Sequence, residues 1–146
     1  MAATFSADSS CLIAAVCAWH EHHAAAAEAL ESRRSAGQDL VLAGHALAET
    51  YAVLTRLPSP HRLAPGDAGA LVHENFVRDT KLVALPAAAY AALVRRLAGE
   101  GFGGGRIYDA IIMESARRGR ASTLLTFNPR HFDPPPAGVA VVMPGM

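Results

Sequence analysis

Cysteine and long apolar runs are scarce in this 146-residue sequence, an excess of positive charge is absent, and each of these shortages excludes a class of protein. There are two cysteines, Cys11 and Cys17. On the helix predicted for this segment their Cα atoms are roughly 9 Å apart, which is beyond the reach of a disulfide. A disulfide-stabilised secreted scaffold is therefore excluded, and we expect both thiols to be buried in a reducing compartment.

An excess of positive charge is also missing, because 13 Lys and Arg balance 13 Asp and Glu. A protein that holds nucleic acid by bulk electrostatic attraction alone would be strongly basic, so that class is excluded. The N-terminal segment has no basic region, and Asp8 interrupts it before any long apolar run. We therefore expect neither a signal peptide nor a membrane span, and a cytoplasmic protein.

Several common catalytic motifs are absent. No Gly-Lys-Ser or Gly-Lys-Thr follows the glycine-rich segment 101–105, which excludes a P-loop, and no GxSxG elbow occurs. Residues 20–23, His-Glu-His-His, approach the HExxH pattern of zinc proteases, but Ala24 occupies the position of the second histidine. We therefore expect these histidines to be solvated.

The composition that remains is typical of a folded α/β domain. Apolar residues make up 51% and charged residues 18% of the chain, and its length suits one domain over residues 1–146. Short β-forming segments alternate with helical ones, which predicts a central parallel β-sheet flanked by helices on both faces. The predicted strands are 2–7, 39–44, 81–86, 122–127 and 139–142, and the predicted helices are 11–19, 20–34, 45–57, 64–77, 87–100 and 106–120.

Four oxygen-bearing side chains fall at one predicted edge of this sheet. Asp8 and Asn128 come directly after strands, and Glu49 and Asp109 lie in the first turns of helices that begin at the same edge. Carboxylates brought together repel one another unless they are protonated or bridged by a cation. The sequence therefore predicts that the three acids bind Mg²⁺, for which Mn²⁺ can substitute, and that the metal activates water for phosphodiester hydrolysis.

Three segments carry a resemblance to a known family. SADSSCLIAAV, HALAETYAVLTRL and GRIYDAIIMESARRGRASTLLTFNPRHF resemble the three motif regions of PIN-domain proteins, and especially of VapC-type toxins from toxin–antitoxin pairs. The order Asp, Glu, Asp and the intervening lengths match over nearly the whole chain. The last segment is the most specific of the three.

The resemblance implies a PIN-like α/β domain with endoribonuclease activity, the toxin component of a type II toxin–antitoxin system. It implies catalytic roles for Asp8, Glu49, Asp109 and Asn128, with the three acids as the metal ligands. It also implies a cognate antitoxin, an RNA substrate and a homodimer. Asn128 stands where many PIN domains have a fourth Asp, and because Asn supplies an oxygen but no charge, the number of metals stays open.

Four further residues are the predicted contacts with RNA. Arg106, Arg130 and His131 suit the phosphate backbone, although each could equally be solvated. Ser10 could hold a metal-bound water, or it could simply cap the helix that follows Asp8.

Two other functions stay open on the sequence. Asn128 is compatible with a degenerate PIN domain that has lost catalysis and acts as a binding module. The active sites of dehalogenase-like phosphohydrolases also contain an Asp at the end of the first strand. In such a site Asp8 would be the nucleophile. Those sites have a second Asp two residues on, where this chain has Ser10.

Overall fold

The computed structural model describes residues 3–146 and shows a five-stranded sheet with six α-helices. The strands are β1 (Thr4–Ala7), β2 (Asp39–Ala43), β3 (Lys81–Val83), β4 (Thr123–Leu125) and β5 (Ala140–Val142). The helices are α1 (Ser9–Val16), α2 (His23–Ser35), α3 (Gly44–Arg56), α4 (Pro65–Val72), α5 (Ala87–Glu100) and α6 (Arg106–Arg118). A π-helical turn, His73–Val77, extends α4, and a 3₁₀ turn, Pro129–Phe132, follows β4. The predicted α/β fold is confirmed.

The strands lie in the order β3-β2-β1-β4-β5, and every neighbouring pair is parallel. The connections from β1 to β2 and from β2 to β3 run in one direction across the sheet. The connection from β3 to β4 runs in the opposite direction, past β1. Because such connections are right-handed, α1 to α4 cover one face of the sheet, and α5 and α6 cover the other. The reversal leaves a crevice at the carboxyl ends of β1 and β4, the place where open parallel sheets bind ligands.

The strands are strongly apolar because helices cover both faces of the sheet. Phe5, Leu42 and Leu124 have no exposed surface and form the centre of the main core. A smaller cluster between α5 and α6 contains Leu93 and Ile111. Burial of each such side chain contributes about 1.5–3 kcal/mol, so packing fixes where the strands end and where the site residues begin.

Two expectations that rested on scarce residues can be compared with the structure. Cys11 and Cys17 are both free and buried, as predicted, and burial raises the pKa of both thiols. They therefore act as small apolar side chains. Among the helices of residues 3–146, none combines the length and the apolar character that a bilayer crossing requires.

Residues 17–22 form turns where the sequence predicts helix. The segment contains neither Pro nor Gly, so its composition gives no signal of a break. Contacts with distant parts of the chain decide its structure, because Trp19 stacks on His61, and His22 stacks on Phe127. The expectation that the histidines of this segment are solvated is met only in part, since they are half-buried and the side chain of His22 is 44% exposed.

Further boundaries differ from the prediction, among them that of β4, which is Thr123–Leu125 where the sequence predicts 122–127. The predicted helix 64–77 is divided into α4 and the π-helical turn. The third strand ends at Val83 rather than at residue 86, because Leu85 packs into the cluster between α5 and α6, and Pro86 caps α5. Of the predicted strand 2–7, residue 2 lies outside the described residues.

Candidate active site

A cavity of about 440 Å³ lies at the carboxyl ends of β1 and β4. Four separate parts of the chain line it: Asp8, Ser9, Ser10, Glu49, Gly105, Arg106, Tyr108, Asp109, Asn128 and His131. We call it the acidic cavity. Seven of the eight predicted site residues therefore lie together, whatever role each has. The exception is Arg130, which is exposed on the 3₁₀ turn and does not line the cavity.

Asp8 joins the ends of the two central strands. Its backbone N–H donates to the Leu125 carbonyl (3.0 Å) at the end of β4. Its Oδ1 accepts hydrogen bonds from the Cys11 N–H (3.2 Å), as the N-cap of α1, and from the Ser10 hydroxyl (2.6 Å). Its Oδ2 accepts one from the Thr126 hydroxyl (2.5 Å). Burial raises the pKa of Asp8, and these hydrogen bonds offset only part of the increase.

Asp109 lies in the first turn of α6, where its carboxylate faces the same cavity. Its Oδ2 is 3.3 Å from Nδ1 of His131. Burial raises the pKa of Asp109, and repulsion from Asp8 and Glu49 adds to this, while His131 and Arg106 act in the opposite direction. The three carboxylates are thus close enough to influence one another electrostatically.

Glu49 is held between α1 and its own helix, α3. One carboxylate oxygen accepts a hydrogen bond from the Ser9 hydroxyl (2.8 Å), and the other lies 3.8 Å from Nε2 of His45. That nitrogen is buried and has no hydrogen-bond partner within residues 3–146. The His45 ring also stacks on Tyr108, with centroids 5.0 Å apart. Glu49 therefore has neighbours that restrict its orientation on both sides.

The donor set of the acidic cavity fits a hard divalent cation by its chemistry. Three carboxylates share one cavity, and the pKa values of Asp8 and Asp109 are raised, so a bound cation would relieve an unfavourable arrangement of charge. The arrangement is not a preformed cluster. Within residues 3–146, no group of three or more His, Cys, Asp or Glu side chains is placed so that it could hold a metal ion as it stands.

The hydroxyl groups that position these acids are not predicted from the sequence. Ser9 contacts Glu49, and Thr126 contacts Asp8 and also accepts the Asn128 N–H (2.9 Å). Thr126 follows β4, which ends at Leu125, but it lies inside the predicted strand 122–127, so the positional rule that selected Asn128 could not select it. Ser10 was a predicted RNA contact, but its hydroxyl hydrogen is already donated to Asp8. It can meet a ligand only as an acceptor.

A second cavity of about 390 Å³ adjoins the first and shares Arg106, Asp109 and His131 with it. It lies between α5, α6 and the proline segment 134–136. Arg117 also lines it, but this side chain is paired with Glu114 and lowers the pKa of that carboxyl. The acidic cavity is therefore one end of a longer groove.

Replacing Thr126 with valine should lower the free energy of unfolding by about 1–3 kcal/mol, because Asp8 Oδ2 and the Asn128 N–H would lose their partner at almost constant volume. Thr50→Val is the matched control. Thr50 is equally buried, but its hydroxyl donates only to the Ala46 carbonyl of its own helix. Urea denaturation of both variants measures the difference, and equal losses would contradict the role of Thr126.

The sequence profile of the PIN domain family matches residues 7–134, so the chain belongs to this family. Its relatives are named VapC ribonucleases. Ribonuclease VapC40 of Mycobacterium tuberculosis is 38% identical over 117 residues, which cover 80% of this chain and 81% of that protein. Ribonuclease VapC27 of the same organism is 42% identical over 108 residues, which cover 74% of this chain and 66% of that protein. The resemblance seen in the sequence is confirmed.

Solved structures share the fold at much lower identity. VapC20 of Mycobacterium tuberculosis, a Sarcin-Ricin loop cleaving toxin, superposes with a TM-score of 0.66 at 17% identity and covers 82% of this chain and 86% of its own. VapBC2 of Rickettsia felis, bound to a DNA fragment from its promoter, gives a TM-score of 0.67 at 17% identity, with coverage of 96% and 98%. These likenesses establish the architecture of the chain.

Proposed function

We propose that the protein is a metal-dependent endoribonuclease, the toxin of a type II toxin–antitoxin pair, which hydrolyses phosphodiester bonds of RNA. The observation that carries this proposal is the meeting of Asp8, Glu49 and Asp109, from three distant segments, in one cavity at the edge where parallel sheets bind ligands. The ribonuclease names of the two relatives support the same chemistry.

Asp8, Glu49 and Asp109 would hold Mg²⁺, or Mn²⁺ in its place. When bound, the cation supplies positive charge that polarises the phosphodiester and makes water more acidic. The chain itself fixes the carboxylates, Asp8 most firmly, since three hydrogen bonds reach its two oxygens. Arg106 and His131 line the cavity and would bind phosphate oxygens, and Asn128 would offer an uncharged amide.

The test is cleavage of a mixed pool of structured RNAs by the purified full-length protein. We expect cutting with Mg²⁺ or Mn²⁺ and none in EDTA. Protein shown to be folded and free of inhibitor that cuts no RNA in either metal would overturn the proposal.

Divalent cations should also stabilise the fold in a pH-dependent way. At a free cation concentration of about one hundred times the Kd, binding adds about 2.7 kcal/mol to the free energy of unfolding. The pKa values of Asp8 and Asp109 are raised in the fold. At pH values above their ordinary pKa of 3.8, the charge of these carboxylates therefore destabilises the fold, and at pH values below 3.8 it no longer does so. The rise in Tm with Mg²⁺ should therefore be larger at pH 7 than at pH 4. An equal rise with NaCl of the same ionic strength would show that no specific site exists.

A catalytically inert binding module is the second candidate. Two observations favour it: Asn128 replaces a fourth acid, and no preformed metal cluster occurs within residues 3–146. An inert module would bind RNA or protein equally well in EDTA, whereas the enzyme needs its cation.

A dehalogenase-like phosphohydrolase has less support. In that reaction Asp8 would attack phosphorus directly, but its oxygens accept three hydrogen bonds, which weaken a carboxylate as a nucleophile. Ser10, in the position of the second acid of such sites, is one of the three donors.

The proposed partners follow the same reasoning. We propose a cognate antitoxin, a homodimer and a cytoplasmic location. The solved structures with this fold include complexes, VapBC2 and also FitAB bound to the IR36 DNA fragment, which matches with a TM-score of 0.62 at 17% identity over 96% of this chain and 94% of its own. Such a partner would keep the nuclease inactive until it is released.

A further inference from the structure

Five aromatic rings from three parts of the chain form a continuous strip on the surface. In order, they are Phe127, His22, His20, Trp19 and His61, and we call them the ring strip. The centroids of successive rings are 4.4, 5.7, 5.8 and 4.1 Å apart. The pairs at the two ends are stacked, with interplanar angles of 13° and 22°. The spacing is that of favourable aromatic contact along the whole strip.

The ring strip is partly open to solvent, since Trp19 is exposed and the other four rings are half-buried. Trp19 is 48% exposed, and the side chain of His22 is 44% exposed. Large aromatic side chains are normally buried to a much greater extent, so a row of them at the surface indicates a binding surface. Glu21 is the one acid of segment 17–22, and its carboxylate lies 3.5 Å from His22.

One end of the ring strip meets the acidic cavity. The Phe127 N–H donates to the Ser10 hydroxyl (3.1 Å), which in turn donates to Asp8 (2.6 Å). The next residue in the chain, Asn128, lines the cavity. A strand bound with one phosphate in the cavity would therefore place its neighbouring nucleotides at the start of the strip.

We infer that the ring strip is a stacking platform for the bases of a single-stranded stretch of RNA whose phosphodiester lies in the acidic cavity. The inference rests on the proposed function and names the form of the substrate. Every base has a flat π-face that stacks on Trp, His or Phe, whatever its sequence. The faces of paired bases are covered in a duplex, so the strip selects loops and unpaired ends.

Trp19 makes the inference directly measurable, because it is the only tryptophan of the chain. The full-length Asp109→Asn variant in EDTA binds RNA without cutting it. We expect a single-stranded oligoadenylate of about ten nucleotides, within the usual range of site sizes, to quench its fluorescence. The same strand paired with oligouridylate, or an abasic strand of equal length, should quench little. Equal quenching by the abasic strand would show phosphate contact alone and overturn the inference.

Substitutions in the same background separate stacking from a structural role. With a labelled oligoadenylate, we expect Trp19→Ala to weaken binding about tenfold and Trp19→Phe to retain most of it. Tyr90→Ala removes an exposed ring from α5, remote from the strip, and serves as the control with unchanged affinity. Thermal unfolding shows that each variant is folded. Unchanged affinity in Trp19→Ala would overturn the inference.

The outcomes also separate this inference from the proposed function. If oligoadenylate gives no quenching while the wild-type protein cuts RNA in Mg²⁺, the ring strip is not a base platform and the nuclease proposal stands. If quenching occurs and Trp19→Ala weakens binding while no RNA is cut in any metal, the base platform stands and the nuclease proposal fails.

Discussion

Replacing Asp109 with asparagine should abolish RNA cleavage and leave the fold at least as stable at pH 7. We expect a loss of roughly a hundredfold or more in rate, since a metal site supplies several kcal/mol and about 1.36 kcal/mol corresponds to each factor of ten. The side-chain volume hardly changes. Burial raises the pKa of Asp109, so its charged form destabilises the fold at neutral pH, and the amide removes that penalty.

The measurements are initial cleavage rates with Mg²⁺ on one RNA, and Tm. Asp67→Asn is the matched control, because it removes the same charge from the first turn of another helix, α4, at an exposed position outside the acidic cavity. It should cleave at the wild-type rate. If Asp109→Asn also did so, Asp109 could not be a metal ligand.

Replacing Gly119 with alanine should destabilise the protein by about 1–3 kcal/mol, although alanine is the better helix former. Gly119 ends α6 with an ordinary φ of −77°, so backbone strain is not the reason. The new Cβ would overlap Cγ1 of Val41 and lie 3.3 Å from Cγ2 of Val83. Val41 is buried in β2 and is stiff about its Cα–Cβ bond, so it cannot move aside.

Gly99→Ala provides the opposite expectation from the same substitution. Gly99 lies within α5, and a Cβ there would meet no heavy atom within 4 Å. The free energy of unfolding of the Gly99→Ala variant should increase by up to about 1 kcal/mol from helix propensity alone. Urea denaturation compares the two variants, and a Gly119→Ala protein as stable as Gly99→Ala would mean that α6 does not press on the sheet as the structure shows.

Most of the acidic cavity could be predicted because one positional rule applies to parallel sheets. Asp8 and Asn128 were chosen because they follow strands, and Glu49 and Asp109 because their helices begin at the same edge. Local sequence was enough to find those boundaries only approximately, since the strand predicted to end at residue 127 ends at Leu125. The order of the strands was not needed, since all carboxyl ends of a parallel sheet lie at one edge.

The contacts of the site that the sequence does not predict depend on which strands are neighbours in the sheet. Thr126 reaches Asp8 across 118 residues of chain only because β4 pairs with β1, and no local pattern contains that pairing. Arg130 lies outside the cavity for a related reason, since the 3₁₀ turn leaves it exposed while its neighbour His131 lines the cavity, and its contact with RNA stays a prediction. The turns at 17–22 escaped prediction because ring stacking, rather than Pro or Gly, determines them.

The pairing of β1 with β4 also sets the moment in biosynthesis at which the acidic cavity forms. Asp8 emerges from the ribosome early, but its partner Thr126 is made 118 residues later. At about 5–20 residues per second, that interval is on the order of ten seconds. The acidic cavity of the proposed nuclease therefore cannot form until the chain has been made beyond Thr126. Until then, the ribosome that makes the chain is not exposed to a working site.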